Sequence, residues 1–119
     1  MVTSNQTMTA GERAILDRLL GANFPGAEQL RGQASNARVT RTEEGATPVF
    51  LFAVLDSLPV AETQRRIPVE AQAKDSDGVV IHFLIHVVGG RLQELETYRE
   101  DGLAIKHLPD ARELDILIL

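Results

Sequence analysis

Apolar residues recur along the chain first with a helical period and then, over most of its length, with an alternating one. Ile15, Leu16, Leu19 and Leu20 fall on one face of a helix, with Glu12, Arg13, Asp17 and Arg18 supplying the wetter side. Thr9 stands three residues before Glu12, the spacing of a capping box in which each residue satisfies the other's backbone N–H. Gly21 lies where a C′ glycine ends a helix. The pattern therefore predicts a helix over 9–20. Burying each of its four aliphatic side chains contributes ~1.5–3 kcal/mol before entropy is subtracted. A helix this short is marginal alone, so its stripe must pack on something. Phe24-Pro25-Gly26 breaks the chain, residues 27–34 read as a short second helix with Leu30 inward, and Ser35-Asn36 reads as a turn. Residues 1–8 read as a polar tail and 9–119 as one domain.

Beyond Asn36 the period is mostly that of strands. Residues 39–42 form a short candidate, followed by a turn at Glu43-Glu44-Gly45. Residues 49–55 (VFLFAVL) are almost continuously apolar, which predicts a central strand covered on both faces. Residues 56–67 form a polar connection with Pro59, Arg65 and Arg66, and this is the candidate functional loop. Residues 69–74 alternate apolar and polar, and Asp75-Ser76-Asp77-Gly78 is turn chemistry. Residues 79–88 form the longest strand. Gly89-Gly90 then turns the chain into 91–99, Asp101-Gly102 turns it again, and 103–108 run back. Asp110 and Glu113 repeat the capping spacing in weaker form, and a last strand begins at Ile116. The expected fold is α+β, with one or two N-terminal helices packed on a five- to six-stranded, mainly antiparallel meander. The stripe of the first helix should meet Ile81, Phe83, Ile85 and neighbours from 49–55.

Two registers compete at the Gly89-Gly90 hairpin. A two-residue type I′ turn pairs Val88 with Arg91, and hence Ile85 with Glu94 and Phe83 with Glu96. A three-residue loop with a glycine bulge pairs Val88 with Leu92 and puts Gln93, Leu95 and Thr97 on the apolar face. One residue of slip moves every side chain across the sheet, and an unpaired buried carboxylate costs several kcal/mol, more than turn types differ. The bulged loop is therefore favoured. His82, His86, Glu94, Glu96 and Tyr98 then share the opposite face around Leu84, with His86 opposite Glu94 and His82 opposite Tyr98.

That face is the candidate ligand or partner site, and His86 with Glu94 is its candidate catalytic pair, because a carboxylate beside a histidine tunes it as a general base. The ordinary reading of the same residues is a wet sheet face with cross-strand hydrogen bonds. His82 and His86 are separated by roughly 13 Å along a strand and do not chelate one ion together. Asp75-Ser76-Asp77-Gly78 fails as a calcium loop, since Ala73 and Leu84 stand where acidic ligands belong. Nucleophile-elbow, P-loop and dinucleotide motifs are missing. No metal site and no cofactor is expected. Arg65-Arg66 offers a place for an anion or an acidic partner, though adjacent arginines are usually a solvated loop. His107 would approach the histidine face if 103–108 lay beside 91–99.

Composition narrows the class without naming an activity. The 119 residues contain no Cys, which removes disulfide scaffolds, zinc ribbons and thiol nucleophiles. A net charge of −5 and few aromatic residues argue against nucleic acid as partner. No apolar run reaches the ~18 residues of a membrane helix, and the polar N-terminus is unlike a signal peptide, so a cytoplasmic location is expected.

The run from Asp75 to Pro109 reads DSDG, then IHFLIHVVGGRLQELETYREDG, then IKHLP, and ERAILDRLL precedes it near the N-terminus. This resembles a family of small uncharacterised bacterial proteins classed as a domain of unknown function. Gly90-Arg91-Leu92, Glu94-Leu95-Glu96 and Tyr98-Arg99 carry the resemblance best, and it covers most of the chain. It implies a helix-plus-meander fold and brings no activity and no site residues. The expected function is a protein-interaction module of the immunity or accessory kind, by analogy only. Its partner would be another protein, or a second copy joined through the same face or the terminal strand. The alternative is a small enzyme or ligand-binding protein using the His/Glu/Tyr face.

Overall fold

In the computed structural model, which describes residues 8–43, 45–63 and 65–119, Thr9 caps the first helix as its spacing predicts. Its hydroxyl accepts from the Glu12 N–H at 3.1 Å while the Glu12 carboxylate accepts from the Thr9 N–H at 2.9 Å. Helix α1 runs Ala10–Leu20 and buries Ile15, Leu16, Leu19 and Leu20. Gly21 ends it in a right-handed conformation, not the left-handed one expected of a C′ glycine. Met8, assigned to the tail by the sequence pattern, is in the core. Helix α2 runs Ala27–Asn36, so Ser35 and Asn36 form its last turn, bonding back to the carbonyls of Arg31 and Gly32.

Six strands follow: β1 (Arg38–Thr42), β2 (Val49–Ala53), β3 (Val69–Lys74), β4 (Val80–Val88), β5 (Arg91–Arg99) and β6 (Asp115–Ile118). They form one antiparallel sheet in the order β1-β2-β5-β4-β3-β6. The fold is α+β, as expected. Val39, Phe50, Phe52, Ala71, Ala73, Ile81, Phe83, Ile85, Leu92 and Leu95 point into a core shared with α1 and α2. Two expectations for the strands change. β2 is not covered on both faces, because Phe50 and Phe52 are buried while Leu51 is 37% exposed. Residues 103–108 form no strand, and the sixth strand is β6. The Glu43-Glu44-Gly45 turn lies in part outside the described residues, at Glu44.

The reason 103–108 forms no strand is an ionic knot at the end of β5. The buried Arg99 guanidinium donates to the carboxylates of Asp75, Asp77 and Asp101 at 2.7–3.0 Å. Asp75 in turn accepts from the backbone N–H groups of Lys106 and His107. Those amides are thus engaged by a carboxylate, and His107 is anchored at this knot. Asp75, the residue just past β3, is thereby tied to the segment that leads to β6.

The hairpin reaches the expected faces by an unexpected route. Gly89 and Gly90, at φ of 59° and 75°, form a two-residue turn that pairs Val88 with Arg91 and Val87 with Leu92. The one-residue slip is made at Gln93, the extra residue of a β-bulge, after which His86 faces Glu94 and Ile85 faces Leu95. Gln93 is exposed, not on the apolar face. The connection from β2 to β3 crosses this tip. Ala61 N–H donates to the Gly90 carbonyl at 2.8 Å and Val87 N–H to the Arg66 carbonyl at 2.7 Å. A Cβ on Gly90 would stand 2.6 Å from the Ala61 oxygen, so the crossing requires glycine there.

Candidate functional site

The alternation that buries Ile81, Phe83 and Ile85 sends His82, Leu84 and His86 to the face away from the helices. Cross-strand register extends that face into a lattice. One row runs Thr40, Leu51, Glu94, His86; the next runs Thr42, Val49, Glu96, Leu84, Glu70, Leu117; a third runs Tyr98, His82, Gln72, Asp115. Tyr98 is 40% exposed and Leu117 53%. All five residues predicted for the site, His82, His86, Glu94, Glu96 and Tyr98, lie on this face.

They separate into two clusters. His82 stacks on Tyr98, with ring centroids 4.7 Å apart and planes 15° from parallel. Its Nε2 meets Glu100 at 2.8 Å, a partner that the sequence pattern does not reveal because Glu100 lies just past the strand. His86 sits opposite Glu94 in the register, but its Nε2 bonds the diagonal neighbour Glu96 at 2.7 Å. Diagonal partners are within reach of long side chains across an antiparallel pair. One ligand atom from each of His86, Glu94 and Glu96 nevertheless lies within 4.8 Å of the others. The His86 ring is largely buried, and its Nδ1 is buried with no hydrogen-bond partner among the described residues.

Cavities lie mostly elsewhere. One of about 700 Å³ opens beside the hairpin tip, lined by Thr63, Arg65, Arg66, Gly89 and Gly90 among others. Another of about 260 Å³ includes His82 with Glu70, Gln72 and Asp115. Neither contains His86, Glu94, Glu96 or Tyr98. His107 is drawn to the Asp75 knot by its backbone and does not extend the histidine face through a strand.

A family model described as a domain of unknown function, DUF6984, matches residues 5–109. The chain belongs to the DUF6984 family. The match spans both helices, the five strands β1 to β5 and the segment tied to the Arg99 knot, so the whole candidate face except the contribution of β6 lies within the DUF6984 domain. No curated protein and no solved structure matches the chain. No helix among the described residues is long and apolar enough to cross a membrane.

Proposed function

We propose that the domain is a non-enzymatic protein-binding module that docks a basic, partly apolar partner surface on the open face of its sheet. The observation that carries this reading is the composition of that face. Glu70, Glu94, Glu96 and Asp115 stand among Leu51, Leu84, Tyr98 and Leu117, while the cations Arg38, Lys74 and Arg91 lie at its margins. A face on which one sign of charge is interspersed with apolar side chains is suited to steer a complementary partner and then exclude water from the contact. A cytoplasmic immunity or accessory protein, in a bacterial host, is the setting that suits such a module. The test is affinity capture from the native host with the parent chain and with Glu94→Lys/Leu51→Asp, both checked for folding by circular dichroism. A stoichiometric partner that binds the parent, weakens with salt and ignores the variant supports the reading. Capture of nothing, or equal capture by both chains, sinks it.

A second reading, a small enzyme or ligand-binding protein on the same face, is favoured by the His86–Glu96 contact of 2.7 Å, the arrangement of an oriented base. It requires a substrate to sit on an open sheet rather than in a cleft, which is why the docking reading is preferred.

A further inference from the structure

We propose that His86, Glu94 and Glu96 bind a first-row divalent transition ion, with Zn²⁺ as the reference. The three side chains project from adjacent central strands, and the bulge at Gln93 sets Glu94 across from His86 while keeping Glu96 on the same face. Their ligand atoms lie within 4.8 Å of one another, and His86 Nε2 already meets Glu96 at 2.7 Å. Zn²⁺ holds such donors at ~2.0–2.2 Å, so the three side chains draw together around the ion on binding.

The electrostatics favour the same conclusion. Glu94 and Glu96 are like charges held on one face of one strand, and neither forms an ion pair with a Lys or Arg among the described residues. A bound dication relieves that repulsion and becomes the largest local charge. One imidazole and two carboxylates select a transition ion over Mg²⁺ or Ca²⁺, which prefer oxygen donors alone. The Glu96 side chain is 37% exposed, so water completes the coordination shell. This is the open, three-ligand form of site and not the closed structural form.

The weak point of the site is its outer shell. With Nε2 given to the metal, Nδ1 carries the proton, and it has no acceptor among the described residues. Loss of that outer contact costs about 10–100-fold in affinity at other sites. The ion is therefore held loosely and exchanges. His82 lies roughly 13 Å along the strand and takes no part.

This inference does not depend on the docking reading, because it is measured on the isolated chain. The experiment is calorimetric titration of the untagged, chelator-treated 119-residue chain with Zn²⁺, together with His86→Gln, Glu96→Gln and, as a control on the same face, His82→Gln. One saturable equivalent is expected for the parent and for His82→Gln, with at least a tenfold loss for His86→Gln and Glu96→Gln. Titration of the parent with Co²⁺, read by NMR, keeps the test alive if a variant misfolds. Paramagnetic broadening should reach the His86 ring before those of His82 and His107. Absence of saturable Zn²⁺ binding overturns the proposal. So does binding that survives His86→Gln, or broadening centred on His82 or His107.

Discussion

Gln33 is a polar side chain with no exposed surface, placed on the inward stripe of α2 beside Leu30 and Ala34. Its amide nitrogen donates to the carbonyls of Pro59 and Gly90, and its amide oxygen accepts from the Leu92 N–H at 2.8 Å. One residue thus holds the crossing loop, the hairpin tip and the bulged strand to the second helix. Gln33→Leu keeps the volume and removes every bond. Each buried group left unsatisfied costs ~1–3 kcal/mol, so the variant should lose at least ~2 kcal/mol in urea unfolding. A loss below about 0.5 kcal/mol would show that water replaces the amide.

Arg99 acts at the same scale but through charge. Burial pushes the Asp75 carboxyl up, but the Lys106 N–H, the Arg99 guanidinium and the N–H groups of Ser76 and His107 outweigh it and hold it below the usual carboxylate range. The Arg99 guanidinium, helped by the Leu103 N–H, holds Asp101 at about 2. Groups lowered on folding contribute stability that is complete above the unfolded carboxylate value of ~3.9 and is lost as pH falls through the folded values. The melting temperature should therefore hold down to about pH 4 and drop steeply toward pH 2. In Arg99→Gln it should be lower throughout and begin to fall at higher pH. A parent melting temperature that is flat between pH 4 and 2 contradicts this account.

At the scale of elements, the β4–β5 hairpin shows what pattern can and cannot resolve. The cost of burying Glu94 and Glu96 dictates their face, and that inference holds because it compares several kcal/mol with a small turn preference. It does not say where the slip occurs. Both a longer loop and a bulge satisfy the pattern, and the tip contacts at Gly90 and Gln33 select the two-residue turn with Gln93 extruded. Deleting Gln93 removes the extra residue without changing which side chains face the core. That chain should keep its far-ultraviolet dichroism and a single cooperative melt. Deleting Thr97 instead throws Arg99 out of its knot and should abolish the melt. Loss of folding in both chains would show that the bulge itself, and not the parity it preserves, is required.

For the molecule as a whole, the helices, the central strands and the residues of the candidate face were legible because period and capping are local. What was hidden rests on long-range partners. Asp75 and Asp77 read as turn residues, since nothing near them in sequence points to Arg99; the parity that puts Arg99 beside Ile81 on the core side was the available signal. Residues 103–108 look like a strand until the Asp75 carboxylate takes their amides. The diagonal His86–Glu96 bond and the Glu100 partner of His82 depend on side-chain reach, which register alone does not give. The strand order also has a kinetic consequence. β4 and β5 meet across two glycines, whereas β2 must find β5, and β6 must find β3, across some forty residues of chain. Closing those loops costs entropy that only a preformed template repays. The hairpin should therefore be the folding nucleus. Conservative truncations at Ile85 and Leu95 should mainly slow folding, with φ-values above ~0.5. Truncation at Val39 should mainly speed unfolding, with a φ-value below ~0.3. The reverse ranking in stopped-flow measurements would place the nucleus on the β1–β2 side of the sheet.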